Sequence, residues 1–196
     1  MALVIIWAQE IQHINKMLKN IFQKYQTDKF TSHCYLEIYA EIFDPIKEQI
    51  NNLLEIGVWK GGSMSLWNDY FLDANIYGID INDLPIDFII KPRMTFYKDN
   101  AYDINFIQQN FIDKSITFDV LIDDGPHTLS SMQFFAQHYS KLLNNNGILV
   151  IEDIPDINWI QQIIKLFSVE LQDKYKVVDK RHINNRWDDI LIILQK

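Results

Sequence analysis

From residue 51 onward, short apolar runs alternate with amphipathic stretches. The apolar runs are "NLLEIGV", "IYGIDI", "MTFYK", "FDVLID", "GILVIED", "KYKVV" and "ILIIL". Continuous apolar runs of this length, rather than alternating ones, are typical of strands that helices cover on both faces. The stretches between the runs predict helices over 63–71, 101–111, 129–143 and 157–167. This alternation predicts an α/β fold with a doubly wound, mostly parallel sheet.

The two ends of the chain depart from this alternation. The last two runs are separated only by "DKRHINNRWDD", which leaves no room for a typical crossover helix. They therefore predict an antiparallel hairpin at one edge of the sheet. Near the start, apolar residues recur at spacings of three and four, which predicts a helix over 7–25, and a second helix is expected over 33–50.

Composition and charge narrow the classes of partner. The chain has 196 residues, 48% of them hydrophobic, and a formal net charge of −8 without a long basic run. We therefore expect no nucleic-acid partner. Cys34 is the single cysteine, so an intrachain disulfide is excluded and a cytoplasmic location is expected. The apolar start "MALVIIW" is too short to span a bilayer, so we expect no membrane insertion.

The ends of the first two runs predict a ligand-binding crevice. Ligands of open α/β sheets bind at the carboxyl ends of the strands, and the first run ends in "LLEIGVWKGGS". Trp59 stands where a dinucleotide fingerprint needs its second glycine, which disfavours a dinucleotide. Asp80 closes the second run, where a carboxylate can accept both hydroxyl protons of a ribose. Together these residues indicate a nucleoside-bearing ligand without a diphosphate.

The order of the motifs resembles that of a known enzyme family. Glu55 and Gly57, Asp80, "KDNAYD" and the terminal hairpin resemble a class I S-adenosylmethionine-dependent methyltransferase over residues 51–196. More narrowly, "YQTDKFTSHCY", "LLEIGVWKGGSMSLW", "IDDGPH" and "IED" resemble the metal-dependent macrolide-sugar O-methyltransferases of the mycinamicin type. The resemblance implies a Rossmann-like, seven-stranded fold. It also implies a single methyltransferase domain, with an N-terminal helical cap over 1–50 and a cofactor-binding core over 51–196.

The resemblance also implies S-adenosyl-L-methionine as cofactor and a set of residues that bind it. These are Thr27, Lys29, Glu55, Gly57, Val58, Gly61, Asp80, Ile81, Asp99, Asn100 and Asp123. Several members of the set have simpler interpretations, and Glu55 with Gly57 could merely end a strand. Asp99 is also what a turn in "KDN" would contain, and Thr27 with its two successors is also what a helix stop and cap would contain.

Carboxylates at the ends of the fourth and fifth runs predict a metal site. In the class I arrangement these strands are neighbours, so Asp124, Glu152 and Asp153 converge on one volume. Three carboxylates so close repel one another, and Mg²⁺ or another divalent cation resolves this. Side chains alternate along an extended segment, so we assign Asp123 to the cofactor side instead.

His127 is the candidate base. The resemblance suggests this role, together with Asp124, because methyl transfer to an alcohol requires the hydroxyl to lose its proton. The family usually has serine where this chain has Pro126, which restrains the loop before His127. The alternative interpretation of "DDGPH" is a turn followed by a surface histidine that caps the next helix.

The acceptor is indicated only by the resemblance, which implies a sugar hydroxyl of a glycan or glycoside. Trp159 and Trp187 are suited either to stacking on a sugar ring or to packing. We expect an open site, which either suits the end of a glycan chain or is completed by another subunit in a homo-oligomer or by a neighbouring domain. Two alternatives stay open: a catechol or flavonoid O-methyltransferase, and a cofactor-binding module without catalysis.

Overall fold

The computed structural model describes residues 24–25 and 27–196, and within them it contains one seven-stranded sheet. The strands are β1 (Asn52–Ile56), β2 (Asn75–Asp80), β3 (Met94–Lys98), β4 (Phe118–Asp123), β5 (Leu143–Ile151), β6 (Tyr175–Asp179) and β7 (Ile190–Gln195). Their order across the sheet is β3-β2-β1-β4-β5-β7-β6. Every pairing is parallel except β5 with β7 and β6 with β7. The predicted fold class and the antiparallel C-terminal hairpin are confirmed.

Helices pack on both faces of this sheet. The α-helices that lie wholly within the described residues are α1 (Asp28–Thr31), α2 (Leu36–Phe43), α3 (Gly62–Tyr70), α4 (Ile104–Ile107), α5 (Leu129–His138), α6 (Ile160–Ile164) and α7 (Arg181–Asn184). One apolar core joins α4, α5 and α6 to the sheet through side chains such as Phe106, Phe135 and Ile163. The opposite core joins α2 and α3 to it, with Trp67 at its centre. Burial on both faces accounts for the continuous apolar runs.

Several helices are shorter than their apolar periodicity predicts. The predicted helix over 33–50 ends at Phe43, because Pro45 has no N–H to continue it, and a 3₁₀ turn follows at Lys47–Gln49. The one over 101–111 begins only at Ile104, after Asp103 caps it, and widens into a π turn at Gln108–Ile112. The helices predicted over 129–143 and 157–167 are likewise divided between α-helix and 3₁₀ turns. The helix predicted over 7–25 lies outside the described residues apart from its last two positions.

The topology places the functional candidates at one edge of the sheet. The carboxyl ends of β1, β2, β4 and β5 lie together, because these strands are parallel neighbours. The turn between β6 and β7 lies at the same edge, since the backbone N–H of Ile154 donates to the carbonyl of Ile190 at the start of β7. No helix among the residues that the structure describes has the length and apolar character needed to cross a membrane.

Candidate active site

The turn after β1 forms the floor of a crevice. Gly57 has a φ of +83°, and a Cβ at this position would lie 1.9 Å from the carbonyl oxygen of Asp124. Only glycine tolerates both conditions, so the turn can pack directly against the end of β4. The crevice formed at these strand ends is a cavity of about 390 Å³. Its walls combine apolar side chains such as Ile56 and Ile79 with polar ones such as Asp80 and Asn100.

Many of the candidate cofactor residues line this crevice or the cavity beside it. Gly57, Asp80, Ile81, Asp99 and Asn100 line the larger cavity. A second cavity of about 170 Å³ is lined by Thr27 and Val58, among others, and shares Gly57, Trp59 and Asp124 with the first. The Asp80 carboxylate accepts from the backbone N–H groups of Trp59 and Asn82, at 2.8 and 2.9 Å.

Glu55 and Gly61 lie behind these walls. Glu55 is fully buried and accepts from the indole N–H of Trp67 at 3.1 Å. Burial raises its pKa above the ordinary value, although the Lys29 ammonium acts in the opposite direction. Gly61 precedes α3 with a φ of +79°, in the left-handed region. Both residues therefore shape the turn after β1 rather than lining either cavity.

Asp123 and Asp124 point in different directions, as the alternation along β4 predicts. Asp123 is buried and accepts from the Tyr102 hydroxyl at 2.5 Å, and Tyr102 lines the larger cavity. Burial raises the pKa of Asp123 to about 6. Asp124 instead lines both cavities and points toward the end of β5. Asp123 is therefore linked to the larger cavity by its hydrogen bond with Tyr102. Asp124 belongs instead to a cluster of acidic side chains at the ends of β1, β4 and β5.

Lys29 lies inside the acidic cluster, which comprises Glu55, Asp124, Glu152 and Asp153. Its Nζ is 2.6 Å from Asp124 Oδ2, 2.8 Å from Glu152 Oε2 and 3.2 Å from Glu55 Oε1. Burial alone would lower the pKa of Lys29, but the surrounding carboxylates raise it well above its ordinary value. Lys29 is therefore an ammonium ion held by acids, and its side chain lines neither cavity.

Asp124, His127 and Asp153 share one volume. One ligand atom from each lies within 4.8 Å of the other two, an arrangement that can hold a metal ion. Glu152 is occupied differently, because it accepts from Lys29 and from the Tyr39 hydroxyl. The structure thus brings all three predicted acids to the ends of neighbouring strands, with Glu152 turned toward Lys29.

The electrostatics of the acidic cluster fit a further cation. Lys29 supplies one positive charge for four carboxylates. Burial raises the pKa of Glu152 well above its ordinary value and that of Asp153 to about 6, and in both cases the charge of Asp124 adds to the effect. A hard divalent cation prefers oxygen ligands of this kind and would offset the remaining repulsion.

The backbone is constrained at three residues of this region. Trp59, His127 and Asp153 have φ values of +44°, +52° and +52°, which non-glycine residues rarely adopt. Such conformations persist where the surrounding structure imposes them, and they cluster at functional sites. His127 lies after Pro126, is 35% exposed at its side chain and has its Nε2 3.9 Å from Asp124 Oδ1.

His127 does not cap the following helix. Thr128 occupies the N-cap of α5 and forms a capping box with Ser131. The alternative interpretation of "DDGPH" as a helix cap is therefore wrong. The Nδ1 atom of His127 is buried and, within the part of the chain that the structure describes, has no hydrogen-bond partner. The other ring nitrogen, Nε2, is the one that lies near Asp124.

A second set of contacts fixes Asp153, and the sequence analysis did not predict most of it. The Tyr35 hydroxyl donates to Asp153 Oδ1 at 2.5 Å, and His33 Nδ1 lies 3.2 Å from the same oxygen. His33 also lies 2.6 Å from Oδ1 of the fully buried Asp189, at the start of β7. In the sequence, the spacing of Tyr35 and Tyr39 by four positions indicates that the two tyrosines lie on the same face of a helix. Asp189 had no such signal.

Comparisons with known proteins agree with one another. Residues 54–154, just over half of the chain, match a family described as a methyltransferase domain. Over 150 residues the chain is 27% identical to the 8-demethyl-8-alpha-L-rhamnosyl tetracenomycin-C 2'-O-methyltransferase of Streptomyces olivaceus and 28% identical to the mycinamicin VI 2''-O-methyltransferase of Micromonospora griseorubida. Each alignment covers 72% of this chain but only 39% and 37% of the relative, respectively.

A solved structure shows the same fold. The MycE methyltransferase from the mycinamycin biosynthetic pathway, in complex with Mg and SAH, superposes with a TM-score of 0.70 at 21% identity. The match covers 91% of this chain and 54% of that one. The chain therefore spans about half of that protein and about two fifths of the curated relatives it matches.

Proposed function

The chain belongs to the methyltransferase domain family, and we propose that it is an S-adenosylmethionine-dependent, divalent-metal-dependent O-methyltransferase that acts on a sugar hydroxyl of a glycan or glycoside. The family match confirms the resemblance drawn from the motifs. One observation carries the proposal most directly: Asp124 forms part of the wall of both cavities and also shares a volume with His127 and Asp153. The proposed cofactor and metal sites are therefore contiguous.

The two cavities suit the two halves of the cofactor. The larger one combines apolar walls with the carboxylates of Asp80 and Asp99, as a nucleoside needs for its base and its ribose hydroxyls. The smaller one, beside Thr27 and Ser63, offers hydroxyl groups suited to the amino-acid end. Bound there, S-adenosylmethionine would supply the methyl group, and a divalent cation would acidify the acceptor hydroxyl.

The protein's own groups would hold the acceptor and move its proton. Asp124 and Asp153 supply the carboxylates that would hold the cation, and the strained backbone and Tyr35 fix Asp153. His127 lines the smaller cavity with its Nε2 3.9 Å from Asp124 Oδ1, so its imidazole can accept the hydroxyl proton beside that carboxylate. Lys29 keeps its proton, because its raised pKa prevents it from acting as a base near neutral pH.

The choice of a sugar acceptor is supported by the relatives. The tetracenomycin enzyme is named as a 2'-O-methyltransferase of a rhamnosyl compound and the mycinamicin enzyme as a 2''-O-methyltransferase of mycinamicin VI. The MycE protein was also solved with mycinamycin VI. The complete acidic cluster favours an enzyme over a binding module without catalysis. The cytoplasmic location and the partner, either a second copy in a homo-oligomer or a neighbouring domain, remain predictions.

The test is methyl transfer to a panel of glycosides with S-adenosylmethionine and Mg²⁺, followed by mass spectrometry. We expect a product heavier by one methyl group and loss of activity in EDTA. Asp153→Asn should lower turnover by more than about 100-fold while calorimetry shows unchanged cofactor affinity. Asp80→Ala should instead weaken the cofactor. Cofactor binding without transfer to any glycoside, or activity that EDTA does not affect, would contradict the proposal.

A further inference from the structure

A cavity outside the cofactor crevice lies at the turn between β6 and β7. It measures about 530 Å³, and its walls come from the segment that contains α7. The lining residues are Asp179, Arg181, His182, Asn185, Arg186 and Trp187. An aromatic face can pack against the apolar face of a sugar ring, and the polar side chains beside it can hydrogen-bond to the sugar hydroxyls.

Trp187 is available for stacking, whereas Trp159 is not. The Trp187 residue is 66% exposed, which is unusual for so large an apolar side chain. Trp159 is half-buried and packs against the core that contains α5 and α6. Trp159 is therefore a packing residue, whereas the exposed Trp187 can still stack on a sugar ring.

The polar walls of the cavity favour a neutral ligand. Asp179 accepts two hydrogen bonds from the guanidinium of Arg181, at 2.9 and 2.7 Å, and Asp188 accepts one from Arg186 at 2.9 Å. Each guanidinium is thus already neutralised and held in place. Within the described ranges, the side chains of His182 and Asn185 have no hydrogen bonds, so both remain available to hydroxyl groups.

The cavity is connected to the proposed catalytic centre by one chain of contacts. Arg186 Nε lies 3.5 Å from Asp189 Oδ1, which is 2.6 Å from His33 Nδ1, and His33 lies 3.2 Å from Asp153. Asp189 and His33 are both buried. Three successive contacts therefore join the wall of this cavity to Asp153, so a ring bound here would not occupy the reacting position itself.

We propose that this cavity is a saccharide subsite, in which a second, neutral sugar ring of the acceptor stacks on Trp187 and hydrogen-bonds to His182 and Asn185. The inference rests on the proposed sugar O-methyltransferase function and adds to it an acceptor of at least two rings. Trp187 then determines preference for acceptor length without touching the reacting atoms.

The test compares matched neutral glycosides of one, two and three rings with wild type, Trp187→Ala and Trp187→Phe. We expect Trp187→Ala to raise KM about 3- to 10-fold for acceptors of two or three rings, the range typical of one aromatic contact. Its kcat, and its KM for the one-ring glycoside, should not change. Trp187→Phe should retain most of the wild-type preference. Leu72→Ala, at a residue that is 72% exposed and lines none of the cavities described above, is the matched surface control.

The outcomes separate this inference from the proposed function. If methyl transfer occurs but Trp187→Ala leaves the dependence of KM on ring number unchanged, the subsite is disproved and the function stands. If Trp187→Ala changes only the elution volume in size-exclusion chromatography, Trp187 is an assembly contact and the subsite is again disproved. If no saccharide is methylated, isothermal titration calorimetry with the three-ring glycoside decides, because its signal does not come from Trp187 itself. Binding by wild type that Trp187→Ala loses supports the subsite, and equal or absent binding overturns it.

Discussion

Lys29 carries the only positive charge in the part of the acidic cluster that the structure describes. It is 1% exposed and contacts three buried or nearly buried carboxylates. Removing one partner of such a set leaves uncompensated charge in the interior. We expect Lys29→Met to lower the free energy of unfolding by about 3–5 kcal/mol, measured by urea denaturation in EDTA.

The matched control for this prediction is Lys176→Met. Lys176 pairs with Glu41 at 3.1 Å, but both side chains are more than half exposed, so the loss should stay below about 1 kcal/mol. Mg²⁺ should restore part of the stability of Lys29→Met, because it would bring positive charge back to the cluster. Equal stability losses in the two variants would show that Lys29 does not neutralise the cluster.

The buried carboxylates predict how stability depends on pH. Burial raises the pKa of both Asp123 and Asp153 to about 6, whereas an unfolded aspartate titrates near pH 4. Between these values the folded protein binds more protons than the unfolded chain. The unfolding free energy of the metal-free protein should therefore fall as the pH rises from about 4 to about 6, by at most about 1.4 kcal/mol per pH unit for each group.

Urea unfolding in EDTA at pH 4, 5 and 6 measures this slope. Asp123→Asn should reduce the slope, because the amide does not titrate and can still accept from Tyr102. Stability that increases between pH 4 and pH 6 in the wild type would contradict the prediction.

At this scale the sequence indicated the acids but not the groups that neutralise and orient them. Asp124 and Asp153 follow buried strands, which is a local signal that an apolar run makes visible. The position of Lys29 depends on how the segment before α2 crosses the sheet edge, and no local pattern encodes that path. The contact from Tyr102 to Asp123 likewise joins the ends of separate strands.

Among the elements, the turn between β1 and α3 carries the crevice. Gly57→Ala would place a methyl group 1.9 Å from the Asp124 carbonyl and strain the backbone at φ +83°. The end of β4 would have to move, so we expect a loss of cofactor affinity and of about 1–3 kcal/mol in stability. Calorimetry and urea unfolding check the two effects. Unchanged cofactor affinity would show that this turn does not define the crevice.

Strands were easier to predict than helix ends. The continuous apolar runs gave all seven strands, and the short "DKRHINNRWDD" link gave the hairpin, because burial and chain length are both visible in the sequence. Helix ends depend on competing local bonds. Asp103 and Thr128 set the starts of α4 and α5 through their side chains, and a π turn replaces the last turn predicted for the former.

For the whole molecule, the strand order predicts a gradient of local stability. The inner strands β1, β4 and β5 are paired on both sides and buried, whereas β3 and β6 form the two edges and are largely half-exposed. Amide hydrogen exchange should be slowest in the inner strands and fastest, among strands, in β3 and β6. Protection of β6 equal to that of β4 would contradict this gradient.

The contacts of Lys29 also have a consequence for the order in which the molecule assembles. Lys29 meets Asp124 across 95 positions of sequence and Glu152 across 123. Encounters between such distant segments are slow, because the intervening chain must first lose much of its freedom. Central strands can associate before this lysine arrives, so during refolding the acidic cluster is neutralised late, after the sheet that supports it has formed.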